Sequence, residues 1–243
     1  MSNTELRNKQ VGEIVAERFS AAKVFAHYGI DFCCHGSICL DEACADASVD
    51  VETVIEALRK NEASVAGHEI PFASWPLDLL IDYVIKIHHR GIRRNGPRLL
   101  TLIEKVRNAH GAKHPELNEL YGLVQDSLED LENHLQKEEN VLFPYLQELF
   151  DASEHQAGIA PMHCGTIANP IRVMNMEHEA EGNRYLRIKE MTNGFQAPAD
   201  GCNTYRLMMS ELEEFVNALF EHIHIENNIL FPKFLELESQ TVR

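Results

Sequence analysis

Two sixteen-residue segments of this chain are copies of one another, and that repeat constrains the fold more than any other feature. His134 to Leu149 reads HLQKEENVLFPYLQEL and His222 to Leu237 reads HIHIENNILFPKFLEL, identical at eight of sixteen positions with an offset of 88 residues. Each copy continues an apolar stripe of helical period. Met208, Leu212, Phe215 and Leu219 lead to His222, Glu226 and Leu230, and Val124, Leu128 and Leu131 lead to His134, Glu138 and Leu142. Steps of three and four keep one helical face, so each His-Glu pair lies one turn apart on the core side.

The rest of the chain beyond Leu77 follows the same pattern. Helices are expected over about 77–108, 116–150, 169–193 and 203–237, with breakers at Gly111, Pro115, Gly158, Pro161, Gly165, Gly194, Pro198 and Gly201. Asn169-Pro170 reads as an N-cap with proline at the first helical position. No segment alternates as a half-buried strand does. The fold class is therefore all-α: a small N-terminal helical domain over 1–65, then an antiparallel four-helix bundle over 77–240. The N-terminal part reads as helices over 11–28 and 50–60, the second capped by Asp50. Residues Asn61 to Pro76, with Gly67 and Pro71, form the expected boundary.

The first and third bundle helices add lone histidines to their stripes, His88 after Ile81, Val84 and Ile85, and His178 after Ile171 and Met174. His88, His134, His178 and His222 stand 46, 44 and 44 residues apart, one helix plus one loop each time, so an up-down bundle brings them to one level. Each has an ordinary reading. A lone core histidine is more often a satisfied structural residue, and a His-Glu pair can be a solvated i,i+4 pair. Repetition at even spacing argues against both. Burying four imidazoles and two carboxylates is costly unless they are paired, and a metal cluster supplies the partner. Six donors are too many for one tetrahedral zinc and suit two metals, with Glu138 and Glu226 as bridges. Carboxylate-rich bundle sites use Glu-x-x-His; here the order is His-x-x-x-Glu with more nitrogen. That favours a redox-active di-iron pair binding small diatomic molecules, and leaves manganese and zinc open on the residues alone. His89 competes with His88, because Ile85 precedes it by four. His110 and His114 fall in a loop, from which His110 could approach the cluster, and Glu177 is a candidate carboxylate for orienting an imidazole.

The six cysteines are unevenly placed, with Cys33, Cys34, Cys39 and Cys44 within twelve residues. Adjacent cysteines seldom share a small structural zinc site, and a bridge between them is strained. Cys33 and Cys34 therefore read as a redox or metal-transfer pair. Cys39 and Cys44 read as ordinary buried thiols, and Cys164 and Cys202 as structural or incidental. The polar start from Met1 to Glu5 has no apolar run behind it, so a cytoplasmic location and reduced thiols are expected. With 22 Lys and Arg against 38 Asp and Glu, the net charge of −16 makes nucleic acid and membrane surfaces poor partners.

Tyr28-Gly29-Ile30-Asp31-Phe32-Cys33-Cys34-His35-Gly36, together with the two His-x-x-x-Glu-x-x-x-Leu-Phe-Pro units, resembles the repair of iron centres family, the iron-sulfur cluster repair di-iron proteins. The resemblance spans nearly the whole chain. It implies a hemerythrin-like bundle in which His88, His134, Glu138, His178, His222 and Glu226 hold two non-haem irons with an oxo or hydroxo bridge. It also implies a cytoplasmic protein that restores iron-sulfur clusters under nitrosative or oxidative stress, some members reducing nitric oxide. The chain departs from the family at His35 and Ser37, where two glycines are usual, and at Gly91, where a further histidine often follows the first ligand by three residues.

Three function classes follow. A repair protein would donate iron to damaged iron-sulfur proteins or reduce nitric oxide, with Cys33 and Cys34 relaying iron or electrons. A hemerythrin-like sensor would bind oxygen or nitric oxide reversibly, although only four convergent histidines are counted where oxygen carriers use five. A structural bundle would hold no metal. The N-terminal domain could also mediate a homodimer.

Overall fold

The structure is a computed structural model that describes residues 2–65 and 70–242. Gly67, on which part of the expected boundary rests, lies outside the described residues. Among those residues all regular structure is helical, and Gln10–Cys39 and Ile159–Val242 are isolated bridges. No helix is long and apolar enough to cross a membrane. Contacts divide the chain into two compact units.

The first unit takes in the chain up to Leu80 and also Ile223–Gln240. Its helices are α1 (Asn3–Arg7), α2 (Val11–Glu17), α3 (Ala21–Tyr28), α4 (Leu40–Asp46) and α5 (Val51–Val65), with a 3₁₀ turn at Phe72–Ser74. α1 starts on a capping box: Ser2 Oγ accepts from the Glu5 N–H, and the Ser2 N–H donates to the Glu5 carboxylate at 2.7 Å. The single helix expected over 11–28 is two, because Arg18 takes an extended conformation (φ −145°, ψ 94°) that ends α2. Asp50 caps α5, its carboxylate accepting from the Thr53 N–H at 3.0 Å. Val11, Ile14, Phe25, Leu40, Ile55 and Phe234 form the buried apolar centre of this unit. Phe72 packs edge-on against Phe19 and Trp75, and Lys233 donates to the Ala73 carbonyl at 2.5 Å.

The second unit, Ile81–His222 with Thr241 and Val242, holds four helical stretches joined by residues 111–115, 155–167 and 192–202. The first stretch belongs to α6 (Leu77–Tyr83), a π-helical turn at Val84–His89 and α7 (Arg90–His110). The second is α8 (Glu116–Lys137), a π turn at Glu138–Leu142 and α9 (Phe143–Glu154). The third is α10 (Ala168–Met191), and the fourth belongs to α11 (Asn203–Ile225). α7 packs on α8, and α8 on α10. The stripes read from the sequence are buried: Leu117, Leu120, Val124 and Leu131 in α8, Ile171 and Met174 in α10, Met208, Leu212, Phe215 and Leu219 in α11. Ser127, rather than Leu128, takes the buried place between Val124 and Leu131.

Both copies of the repeat change from α to π geometry at their glutamate. α11 continues through a π turn at Glu226–Leu230 into α12 (Phe231–Thr241), just as α8 passes through Glu138–Leu142 into α9. The cause lies in Leu-Phe-Pro. Pro144 and Pro232 have no N–H to offer the carbonyls of Asn140 and Asn228, and their rings would press on those carbonyls in a regular helix. A turn with i→i+5 bonds takes up the extra residue without breaking the helix.

Burial separates load from decoration on α11. Leu212 is fully enclosed, whereas Leu207 is 52% exposed. Urea unfolding of Leu212→Ala is expected to show a loss of about 3 kcal/mol, while Leu207→Ala stays within about 0.5 kcal/mol of the parent. Equal losses would mean that α11 does not present this face to the core.

Candidate metal centre

At the level of the π turns the second unit buries polar groups where a helical core would ordinarily hold leucine. His89, His134, Glu138, His178 and His222 come from all four helical stretches and are all buried. Glu138 is 0% exposed, and its two oxygens face different imidazoles: Oε1 lies 3.3 Å from His134 Nε2, and Oε2 lies 3.4 Å from His89 Nε2. The Nε2 atoms of His134 and His178 stand 3.0 Å apart. The His222 ring sits 5.1 Å from that of His89 and 6.0 Å from that of His178, centroid to centroid. Donor atoms of His134, Glu138 and His178 fall within 4.8 Å of one another, and so do those of His89, Glu138 and His222. Glu138 is common to both sets. Glu226 follows His222 by one turn of the same continuous helix, and its side chain is 0% exposed.

Outer carboxylates fix two of these imidazoles. The Nδ1–H of His89 donates to Glu139 Oε1 at 2.8 Å, and that of His134 donates to Glu177 Oε2 at 2.8 Å. With the proton held at Nδ1, the Nε2 lone pair is the one that faces inward. The carboxylates are themselves held. Arg93 donates to Glu139 at 2.7 Å and grips Glu132 with a two-point fork, and Lys137 pairs with Glu177. Burial pushes the Glu139 and Glu177 carboxyls up, but the cations and imidazoles outweigh it and hold both below the usual carboxylate range. Two anionic acceptors thus stand behind two imidazoles.

The donor chemistry fits metal ions. Nitrogen lone pairs 3.0 Å apart repel unless a proton or a cation lies between them, and a buried carboxylate needs a cation or donors on each oxygen. Cations held by these donors would meet both requirements, and imidazole and carboxylate ligands are typical of iron, manganese or zinc.

Not every residue singled out from the sequence falls inside the two donor sets. His89 does and His88 does not. His88 is buried beside them, with Nε2 3.7 Å from Glu221, its ring stacked at 5.6 Å on His222 and edge-on to Tyr83. The reason is the π turn at Val84–His89, which lengthens the step along the buried stripe to five residues, from Val84 to His89. Glu177 lies behind His134, as an orienting carboxylate would. His110 is elsewhere, with Nε2 3.2 Å from Cys202 Sγ and its ring against Tyr205; His114 sits between Glu116 and Asp200. Cys202 is exposed, and its thiol is pulled down to about 7 by the Tyr205 N–H and His110. Cys164 is exposed as well. Sequence reasoning missed Glu139, whose side chain reaches across to another helix, and a buried network between α8 and α10. There Ser127 Oγ donates to Glu181 at 2.7 Å and lies 2.8 Å from Tyr185 Oη, while Arg184 joins Glu181 to Asp130. Glu181 stands three residues after His178, a helical spacing that could have drawn notice.

In the first unit, donor atoms of Asp31, Cys33 and Cys34 also lie within 4.8 Å of one another. Asp31 Oδ1 accepts from the N–H of Cys33 and of Cys34, each at 3.0 Å, and Oδ2 meets His35 Nδ1 at 2.6 Å. The two sulfurs are 3.7 Å apart. Hydrogen bonding to Cys34, burial and the Asp31 charge push the Cys33 thiol well above its ordinary range. Of the other two nearby cysteines, Cys44 is buried and its thiol is raised to about 11 by burial, while Cys39 is half-buried.

Residues 80–234 match the hemerythrin HHE cation binding domain, and residues 7–62 match a domain of unknown function, DUF542. The chain is 33% identical over 233 residues to the iron-sulfur cluster repair protein YtfE of Musicola paradisiaca, covering 96% of this chain and 99% of that one. It is 33% identical over 228 residues to a probable iron-sulfur cluster repair protein of Haemophilus influenzae, covering 93% and 96%. It is 32% identical over 234 residues to YtfE of Yersinia pseudotuberculosis, covering 96% and 100%. A match to the cation-binding domain over most of the chain, with relatives aligned from end to end, identifies this chain as a member of the hemerythrin-like iron-sulfur cluster repair family.

Proposed function

We propose that this protein holds two irons in its helical core and supplies iron to iron-sulfur clusters damaged by nitrosative or oxidative stress. The observation that carries the reading is Glu138, a fully buried carboxylate with one oxygen toward His134 and the other toward His89. A carboxylate so placed is suited to bridge two ions. His134 and His178 would hold one iron, His89 and His222 the other, with Glu138 and Glu226 as the shared ligands. Iron is here both cargo and redox centre; when bound, the pair offers coordination positions open to a diatomic ligand such as nitric oxide.

Holding cargo that must leave calls for ligands that can let go. Imidazoles bind iron only when neutral, so their affinity depends on Glu139 and Glu177 keeping the proton on Nδ1. The two supports differ in exposure. Glu139 is backed by Arg93, which Glu132 braces, whereas Glu177 is backed by Lys137, a flexible and half-exposed side chain. The iron held through His134 is accordingly the one more easily released. In the first unit, Cys33 and Cys34 offer soft donors with Asp31 alongside, suited to take iron in transit toward a damaged iron-sulfur protein in the cytoplasm.

Anaerobically purified protein is expected to carry about two irons per chain, with an iron-to-ligand absorption that changes on adding nitric oxide. Apoprotein after full reconstitution, or one tightly held zinc, would sink the proposal. Transfer is then read by electron paramagnetic resonance of a nitric-oxide-damaged [4Fe-4S] protein; no recovery of its cluster, with loaded iron fully retained, would remove the donor role. His89→Ala should lower iron content sharply while His88→Ala keeps it, and the reverse result would overturn the ligand assignment. Glu139→Gln should weaken iron binding by about 10- to 100-fold in chelator competition. Iron retention should fall as the pH drops and protons compete for the imidazoles.

A further inference from the structure

The residue that follows each repeated glutamate has diverged. In the first copy it is Glu139, which holds the His89 ring. In the second it is Asn227, followed by Asn228, and both belong to the first unit with the Cys33–Cys34 turn. Asn227 Nδ2 donates to the Cys33 carbonyl at 3.1 Å. Asn228 Nδ2 donates to the Cys33 and Phe32 carbonyls, each at 3.2 Å, and lies 3.1 Å from His224 Nδ1. The corresponding first-copy residue, Asn140, only donates to the Gln136 carbonyl one turn back.

Backbone and packing hold Asn228 in place. A Cβ on Gly12 would come within 2.4 Å of Asn228 Oδ1, and one on Gly36 within 2.3 Å, so only glycine leaves room at either position. The Gly12 N–H donates to the Gly36 carbonyl at 2.8 Å, closing the turn that begins at Cys33. Phe19 and Phe32 flank the His224 ring on the same helix, at 6.1 and 5.8 Å. Burial lowers His224 to about 4, so the ring is neutral.

We infer that Asn227 and Asn228 are positioning residues for the Cys33–Cys34 pair, holding its backbone against the π turn that begins at Glu226 so that the two thiols are presented in one arrangement. The two copies of the repeat would then have taken different tasks, one orienting an imidazole and the other orienting a dithiol. This rests on the iron-handling reading only for the use made of the thiols; their placement is independent of it.

The test is thiol labelling in the full-length, iron-loaded protein. Iodoacetamide reaction at each cysteine is followed by peptide mass spectrometry across pH, with exposed Cys164 as an internal reference and buried Cys44 as a report on unfolding. In Asn228→Asp a carboxylate faces the two carbonyls and the bonds are lost. Cys33 labelling should then rise about tenfold or more relative to Cys164, and Cys44 and iron content should stay as in the parent. If Asn228→Asp exposes Cys44 as well, the comparison passes to position 227: Asn227→Asp should raise Cys33 labelling while Asn227→Gln, which keeps the amide, restores it. Unchanged Cys33 labelling in a folded Asn228→Asp or Asn227→Asp protein, or no rescue by Asn227→Gln, overturns the assignment. Absence of iron from the parent protein would instead count against the proposed function and leave the labelling result to be judged alone.

Discussion

A carboxylate buried between imidazoles is the constraint to which the rest of this structure answers. Glu138 has no access to water, and in an apolar bundle its charge would be worth many kcal/mol of penalty. The groups around it are arranged so that a cation would offset that penalty. His134 and His89 face its two oxygens, and Glu139 and Glu177 hold those rings in the tautomer that turns a lone pair inward. Arg93 and Lys137 then neutralise the outer carboxylates near the surface, where charge is cheap. The order of layers is anion, imidazole, anion, cation from the centre outward. Such an order leaves a carboxylate and inward-facing lone pairs at the middle of the bundle, which suits a bound cation.

The backbone answers to the same constraint. A regular helix advances its buried stripe by three or four residues, which suits a run of leucines. At the donor level the spacing changes, and π turns begin at Glu138 and Glu226 and end at His89. Two of them are enforced by proline, whose missing N–H makes the regular bond to the residue four back impossible. Leu-Phe-Pro is therefore more than a stripe of core residues. It fixes where the wider turn falls, and the wider turn starts at the buried glutamate.

Much of this could be read from residues alone. The stripes on α8, α10 and α11 follow from helical period, and the repeat identified His134, Glu138, His222 and Glu226 as buried polar positions because each continues an apolar stripe. What escaped has physical reasons. The choice between His88 and His89 depends on a π turn without a proline to announce it. Glu139 looks like any surface glutamate until the partner helix is placed, since its function is a contact across helices. Arg18 breaks a helix by its backbone conformation, which its side chain does not advertise. The clamp on Cys33 is formed by side-chain amides meeting backbone carbonyls about 195 residues away in the chain, and backbone carbonyls leave no mark in a sequence.

The divergence of the two copies suggests how a duplicated helix pair becomes a working protein. Identity is kept at the Leu-Phe-Pro, at the histidine and at the glutamate one turn on. It is lost at the next residue, where no inner ligand is needed and the side chain can reach outward. There the first copy has an anion and the second an amide, and each suits its neighbour. An imidazole N–H calls for an anionic acceptor, because the bond fixes the tautomer and strengthens the ring as a donor. A peptide carbonyl calls for a donor without charge, because a buried cation there would need a counter-ion of its own. Exchanging the two would leave His89 facing a weaker acceptor and the Cys33 carbonyl facing a carboxylate. One residue in each copy thus separates support of an imidazole from support of a dithiol.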